Sequence, residues 1–374
     1  MLNAAALALL LASAATAFPA NSTLNAPRKI GRRCTGQIQS LSDVAAAQEC
    51  TTIVIGGFTV PAGSTFALSP PDGASVSLTG ALTFGVQNWA GPLMTITGND
   101  ITFNGNGHEI VGNGDQYWDG QGINGGVTKP DPMLRINMGG TFTNLKLVNS
   151  PGRAIAIGGS SLTVSAITVD NCKSAGAAAN SKSGGKPAGA NTDGFDVSAN
   201  SVTISGSTVN NQDDCLAINR GTGITFTGNT CTGGHGISIG SIASGVTVSN
   251  VQITGNTVTN SVNGLRIKTQ AAASGSTVSG VTYSNNKLSG ITQFGVIIDQ
   301  SYPATLGTPG TGVVINTVTF SGTNTVAVGS AAKRVEVNCG STSTCTGTWN
   351  WAGLTVTGGA VGAVKNAKIT GGSF

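Results

Sequence analysis

From about residue 94 onward the chain keeps returning to one pattern: a small residue, then four to six positions alternating apolar and polar. GFDVS begins at 194, CLAIN at 215, GISIG at 236, GLRIKT at 264 and GVIID at 295, offsets of 21, 21, 28 and 31 residues. A second series lies between them: VTISGSTVNN, ITFTGNTCTGG, VQITGNTVTNS and VTYSNNKLSG. AIAIGG at 154 with LTVSAITVDNC, and LMTITGNDITFNGNG at 93, repeat the pairing upstream. Alternation of this length predicts half-buried strands, and a recurrence of ~20–50 residues predicts a solenoid or propeller. Leucine-rich repeats are excluded by the lack of an LxxLxL frame, and propeller blades need about 40 residues each. Short strands with Gly/Asn corners, one turn per 21 to 31 residues, predict a parallel β-helix in a single domain. Its Ser, Thr and Asn are expected to stack on themselves down the coil. One segment reads as helix, LSDVAAAQE at 41–49, with Ser40 and Asp43 as a capping-box-like start. It is expected to lie as a lid over the open N-terminal coil, where a bare strand edge would aggregate.

Composition narrows this further. Only 9% of the 374 residues are charged and 5% aromatic, while glycine reaches 56, which excludes helix bundles and coiled coils. A 39% hydrophobic content excludes disorder. Residues 2–14 are almost wholly apolar and precede Ala15-Thr16-Ala17, the pattern of a secretory signal over 1–17 rather than of a membrane span, for which the run is too short. Residues 18–33 end on Arg32-Arg33, a dibasic processing site, so the mature domain is expected over 34–374. The only N-glycosylation sequon, Asn21-Ser22-Thr23, falls in the removed segment. Removing Arg28, Lys29, Arg32 and Arg33 leaves 15 basic and 15 acidic groups (19 − 4 against 15), so the +4 of the whole chain says nothing about a polyanionic partner, any attraction to one must be local, and a nucleic-acid-binding reading loses its main support. Seven cysteines suit an oxidising, extracellular destination. Proximity pairs Cys34 with Cys50, Cys215 with Cys231 and Cys339 with Cys345, leaving Cys172 over; no CxxC pair suggests zinc.

The repeat frame also aligns the chemistry. With the small residue of each segment as zero, the preceding positions are Asp193, Asp214, His235 and Asn263. Equivalent positions on adjacent coils stack about 4.8 Å apart. Asp193 and Asp214 are therefore expected one above the other, His235 next in the column, and Asp213 turned elsewhere. Arg266 and Lys268, two apart on one strand, project to one face. Asp is an ordinary turn residue, but of 12 in the chain, Asp193, Asp196, Asp213 and Asp214 fall within 22 positions. Stacked carboxylates repel and cost stability, which favours a functional reading.

Asn191-Thr192-Asp193-Gly194-Phe195-Asp196, Gln212-Asp213-Asp214-Cys215, Gly234-His235-Gly236-Ile237-Ser238-Ile239-Gly240-Ser241 and Arg266-Ile267-Lys268 together resemble the four signature motifs of the fungal polygalacturonases. The likeness runs from Cys34 to the end and includes Tyr117-Trp118-Asp119-Gly120 and the late LTVTGG. It departs at the 18-residue stretch Lys173–Ala190, at Cys172, and at a missing second C-terminal cysteine pair. The resemblance implies a right-handed parallel β-helix that hydrolyses α-1,4 bonds of polygalacturonic acid with inversion, as a secreted monomer without cofactor, metal or membrane partner. Inversion needs an acid and a base on opposite faces of the sugar. Asp193 and Asp214, both ionised, are expected to grip and deprotonate water. Asp213, crowded by two anions, is expected to keep its proton and act as acid, with His235 supporting it. Arg266 and Lys268 suit the substrate carboxylate; Tyr302 and Asp196 enter as cleft residues by resemblance. Exo action, a substituted galacturonan as substrate, a Ca²⁺-dependent pectate lyase, and a non-catalytic polysaccharide-binding solenoid remain open alternatives.

Overall fold

The computed structural model describes residues 29–171 and 179–374. The proposed signal and most of the proposed propeptide, Cys172, and the first part of the 173–190 stretch lie outside the described residues.

All named strand pairs are parallel, and they form three ladders that wind around one apolar interior. The first ladder carries Phe66–Leu68, Met94 onward, Leu134 onward, Ile155–Ile157, Phe195–Ser198, Leu216 onward, Ile237–Ile242, Asn263–Gln270, Phe294–Tyr302 and the end of Asn324–Asn338. Its register is the one the repeats predict: Phe195, Leu216, Ile237, Leu265 and Val296 are successive partners. The unequal offsets are taken up between strands. The second ladder contains Ser75–Leu78, Leu162–Ser165, Val202–Ser205 and the rungs beyond. The third contains Phe58–Val60, Leu82–Phe84, Thr208–Asn211 and Thr230–Gly233.

Alternation explains the core. Val197, Ile218, Ile239, Ile267 and Ile298 point inward and are buried, one per rung. Like side chains stack on like: the Phe103 and Phe142 rings lie 4.3 Å apart, Tyr283 and Phe320 4.7 Å. Between the second and third ladders runs a buried asparagine ladder. The Oδ1 of Asn229 accepts the Ser207 N–H at 2.9 Å, that of Asn256 the Asn229 N–H at 2.9 Å, that of Asn286 the Asn256 N–H at 3.0 Å, and that of Asn324 the Asn286 N–H at 3.1 Å. The expected stacking of polar residues is thus realised by asparagine, which satisfies backbone groups at this corner from Ser207 to Asn324.

The three expected disulfides form. The N-terminal helix is shorter than expected, a 3₁₀ turn over Leu41–Asp43 and one α turn over Val44–Ala47. Its start is not a capping box. Asp43 Oδ2 accepts the Gln39 N–H at 2.9 Å and the Ser40 hydroxyl at 3.0 Å, and Ser40 caps no helical N–H. The helix does cover the first rung, packing Ala47 against Gly36 so closely that any side chain there would collide. At the other end Trp349, Trp351 and Phe374 close the coil, with the last two rings 5.6 Å apart. No helix among the described residues is long and apolar enough to cross a membrane.

Candidate active site

The outward positions of the first ladder make the floor of a cleft. Asp196, Ala217, Ser238, Arg266 and Ile297 are register partners there, each flanked by buried apolar residues. The carboxylates Asp193, Asp213 and Asp214 stand on the turns that enter this ladder. Those turns are pinned from below: the buried Asn211 Nδ2 donates to Thr192 O at 2.9 Å and to Asp214 O at 3.0 Å. Gly194 N–H donates to Asp214 O at 2.9 Å, so the rungs carrying Asp193 and Asp214 are directly bonded, as the repeat frame predicts. His235 sits between Gly234 (φ 58°) and Gly236 (φ 82°), where an added Cβ would strike Asp213 O and Asn263 O respectively. Only glycine at both positions lets this turn approach the neighbouring rungs so closely.

His235 does not continue the carboxylate column. Its Nδ1 lies 2.9 Å from Asp213 Oδ1, and its main-chain N–H donates to Asp213 O at 2.9 Å. Lys268 also differs from expectation. Its Nζ forms an ion pair with Asp214 Oδ2 at 2.7 Å and lies 5.5 Å from the centre of the Tyr302 ring. Asp214 Oδ1 accepts from Ser238 Oγ at 2.7 Å. Arg266 alone of the two cations is uncommitted, its buried Nε having no partner. Asp193 Oδ1 and Asp196 Oδ2 are likewise buried without one.

The electrostatics reverse one part of the sequence argument. Burial works against the Asp213 charge, but the hydrogen bond and charge of His235, the Lys268 charge and the Asn191 N–H outweigh it and lower its pKa to about 2. Asp213 is therefore not a carboxyl that keeps its own proton through crowding. Burial lowers the His235 pKa, yet the Asp213 hydrogen bond and the charges of Asp213 and Asp214 raise it on balance, so the proton belongs to the Asp213–His235 pair. It is Asp193 whose pKa rises well above the carboxylate range, through burial first and then the Asp213, Asp196 and Asp214 charges. The expectation that Asp193 and Asp214 are both ionised fails there. Burial also pushes Asp196 to about 7 against the pull of Arg153.

The central cavity, about 440 Å³, is lined by these residues with Tyr302, Asn191 and Asn219. It shares Asp196 and Arg153 with a cavity of about 310 Å³ that adds Arg135 and Arg220, and His235 and Arg266 with one of about 290 Å³ that adds Gln293 and Phe294. All eight expected site residues thus line one groove. Arg153 is the residue that the sequence reasoning missed: its Nη1 is 3.8 Å from Asp196 Oδ1, and it is held by Asp131 through bonds that include Nε to Oδ2 at 3.0 Å. The signal was present, because Arg153 precedes the small residue of AIAIGG and so occupies the same repeat position as Asp193; the Ala154 N–H donates to Asp193 O at 2.8 Å. Ser238 was visible in the alternation of GISIG.

Donor atoms of Asp213, Asp214 and His235 come within 4.8 Å of one another, a spacing that suits a metal ion. The donor set does not fit one, because the Lys268 ammonium and Ser238 hydroxyl already take up both oxygens of Asp214.

The model of glycosyl hydrolases family 28 matches residues 50–372. The chain belongs to this family. An endo-polygalacturonase of Sclerotinia sclerotiorum is 45% identical to this family 28 chain over 329 residues, 85% of the chain and 82% of the relative. Endopolygalacturonase I of Aspergillus aculeatus is 40% identical over 93% and 92%. Among solved structures, endopolygalacturonase I from Stereum purpureum, in complex with two galacturonates, superposes with a TM-score of 0.85 at 50% identity, covering 91% of this chain and all of that one.

Proposed function

We propose that this chain is a secreted endo-acting polygalacturonase that cleaves α-1,4-galacturonosyl bonds with inversion. The observation that carries the reading is the cleft itself: three carboxylates on adjacent rungs face one cavity together with an unpartnered guanidinium, Arg266, suited to a sugar carboxylate. Endo action is supported by the continuation of the groove on both sides of the carboxylates, since an exo-acting enzyme needs one end closed.

In this reading the Asp213–His235 pair gives its proton to the glycosidic oxygen through Asp213, and the bond to C1 breaks. Asp214 takes a proton from a water on the opposite face of the sugar, and the resulting hydroxide attacks C1. Asp193, protonated at rest, donates a hydrogen bond that orients that water. Asp214 ends with the extra proton and the pair one short, a difference that exchange with solvent restores. Lys268 holds Asp214 in place through the 2.7 Å ion pair to its Oδ2. The raised Asp193 pKa favours a second reading, in which Asp193 is the donor and Asp213 a base. Replacing His235 separates the two, as developed below.

Product sizes released from polygalacturonic acid over time test endo action, with a mixture of mid-length oligomers expected early. Monomer alone from the first minutes would refute it. The anomeric configuration of the first product by NMR tests inversion. Processing after Arg33 is tested by sequencing the secreted N-terminus, with Cys34 expected within a residue or two.

A further inference from the structure

A loop over residues 119–131, opened by the Tyr117-Trp118-Asp119-Gly120 motif, brings Ile123 to the lining of the central cavity. Its closure depends on one buried lysine. Lys129 is 5% exposed, and its Nζ lies 2.9 Å from Asp119 Oδ1, 2.9 Å from Gly122 O, 3.1 Å from Val127 O and 3.3 Å from Gly125 O. Asp119 in turn accepts the Gln121 N–H at 3.0 Å and the Val127 N–H at 3.0 Å. Burial opposes ionisation of Asp119, but the Lys129 hydrogen bond and these N–H groups lower its pKa nonetheless. The ammonium thus sits in a cage of oxygens from a single loop, as a bound cation would. Nothing in the reaction sketched above uses it.

Besides Asp131, which holds Arg153 with its Nη1 3.8 Å from Asp196 Oδ1, the loop reaches the carboxylates through Asn191. The Ile123 N–H donates to Asn191 Oδ1 at 3.2 Å. Asn191, held at φ 55°, turns its own main-chain N–H onto Asp213 Oδ2 at 3.0 Å, and its Nδ2 lies 3.4 Å from the same oxygen. The Ile123 side chain lines the central cavity and rests where any side chain on Gly152 would have to go. The chain of contact runs from Lys129 through its loop to Asn191 and on to Asp213.

We propose that Lys129 is a positioning residue for hydrolysis: its caged ammonium shapes the loop so that Ile123 fixes Asn191, and Asn191 fixes the orientation and proton affinity of Asp213. This rests on the reading in which the Asp213–His235 pair supplies the proton. A carboxylate that loses N–H donors binds its proton more tightly, so loosening the loop raises the proton affinity of the pair. The basic limb of the pH profile then moves upward.

The test compares wild type with Lys129→Met and with the double variant Asp119→Asn/Lys129→Met, which leaves no unpaired buried charge. Reducing-end release from polygalacturonic acid is followed from pH 3 to 8, and folding by circular dichroism and thermal melting. Both variants are expected to fold, because the cage lies wholly in the loop and outside the coil. Both are expected to lose about tenfold or more in kcat, with the basic limb displaced upward by half a pH unit or more (roughly, for loss of part of a hydrogen-bonding set). A uniform loss at every pH would make Lys129 merely structural and overturn the proposal, as would wild-type kinetics or failure of both variants to fold. An inactive wild type, or a basic limb indifferent to His235, would instead overturn the functional reading on which the proposal depends.

Discussion

Replacement of His235 by glutamine is the perturbation that reaches furthest into the proposed chemistry. In the resting cleft His235 is the charged partner that holds Asp213 at about 2, and its own pKa is raised by the same contact. The proton needed by the leaving group is therefore retained up to and beyond the ordinary histidine range of about 6.5. Glutamine preserves a donor toward Asp213 Oδ1 but neither the charge nor the proton. Losing an opposite charge at 2.9 Å returns the carboxyl upward by ~1–3 pH units, so Asp213 becomes a lone acid at roughly 3–5. The proton then leaves the site at that pH rather than above about 6.5, and the basic limb should fall by about two units or more. At pH 4 the variant should retain activity within about tenfold of wild type, while at pH 6 the loss should reach roughly 10–1000-fold, ten per pH unit beyond a limb at about 3–5. Initial rates of reducing-end release at saturating polygalacturonic acid over that range measure it directly. A variant reduced by one constant factor at every pH, its basic limb unmoved, would refute the argument and favour Asp193 as the donor.

Asp213→Asn should remove all but about 10⁻²–10⁻⁴ of turnover while oligogalacturonate binding persists; half-maximal activity in that variant would remove Asp213 from the mechanism. Lys268→Met should lower kcat on both polygalacturonic acid and highly methyl-esterified pectin, because its partner Asp214 is 1% exposed and is the proposed base; a pure KM effect confined to the acidic polymer would restore it to the role of reading the sugar acid alone. Chelators should leave activity intact and no ultraviolet-absorbing unsaturated product should appear, since the ammonium fills the cation position; loss of activity in chelator would support the lyase alternative. The Asp213–His235 pair should stabilise the fold most between about pH 4 and 6.5. Asp213, with a lowered pKa, loses its share as pH falls toward about 2, and His235, with a raised one, loses its share as pH climbs through its folded value. A wild-type melting temperature that, relative to His235→Gln, falls neither below about pH 4 nor above about pH 6.5 would contradict the sign. Asn256→Ala should destabilise by at least about 2 kcal/mol in denaturant titration, because it strands the Asn229 N–H and Phe226 O, each costing ~1–3 kcal/mol when buried without a partner.

The sequence carried the rungs because their alternation is strict and their spacing regular, so Phe195, Leu216, Ile237 and Leu265 could be aligned before any coordinates. The same frame placed Asp193 over Asp214. What it could not carry was the direction of long or mobile side chains. His235 occupies the right backbone position but swings to Asp213, and Lys268 reaches Asp214 rather than the place of a sugar carboxylate, since neither rotamer is fixed by period two. Proton affinities depended in turn on those directions, which is why the acid was argued from crowding when its true neighbour is a cation. The short N-terminal helix failed for a local reason: Asp43 satisfies the Gln39 N–H and Ser40 instead of completing a cap.

The asparagine ladder has a consequence for how such a molecule can change over time. Successive members are separated by 27, 30 and 38 residues, yet the hydrogen bonds between them stay between 2.9 and 3.1 Å. Extra length is therefore absorbed away from that corner, and each rung from Ser207 to Asn324 is re-indexed once per circuit whatever happened on the way round. Loops over the cleft can lengthen, shorten or be exchanged without shifting the next rung by a residue, so an inserted segment alters what the groove accepts and leaves the carboxylates aligned. A lineage built this way is free to explore substrates one loop at a time, with errors of register cancelled at each turn.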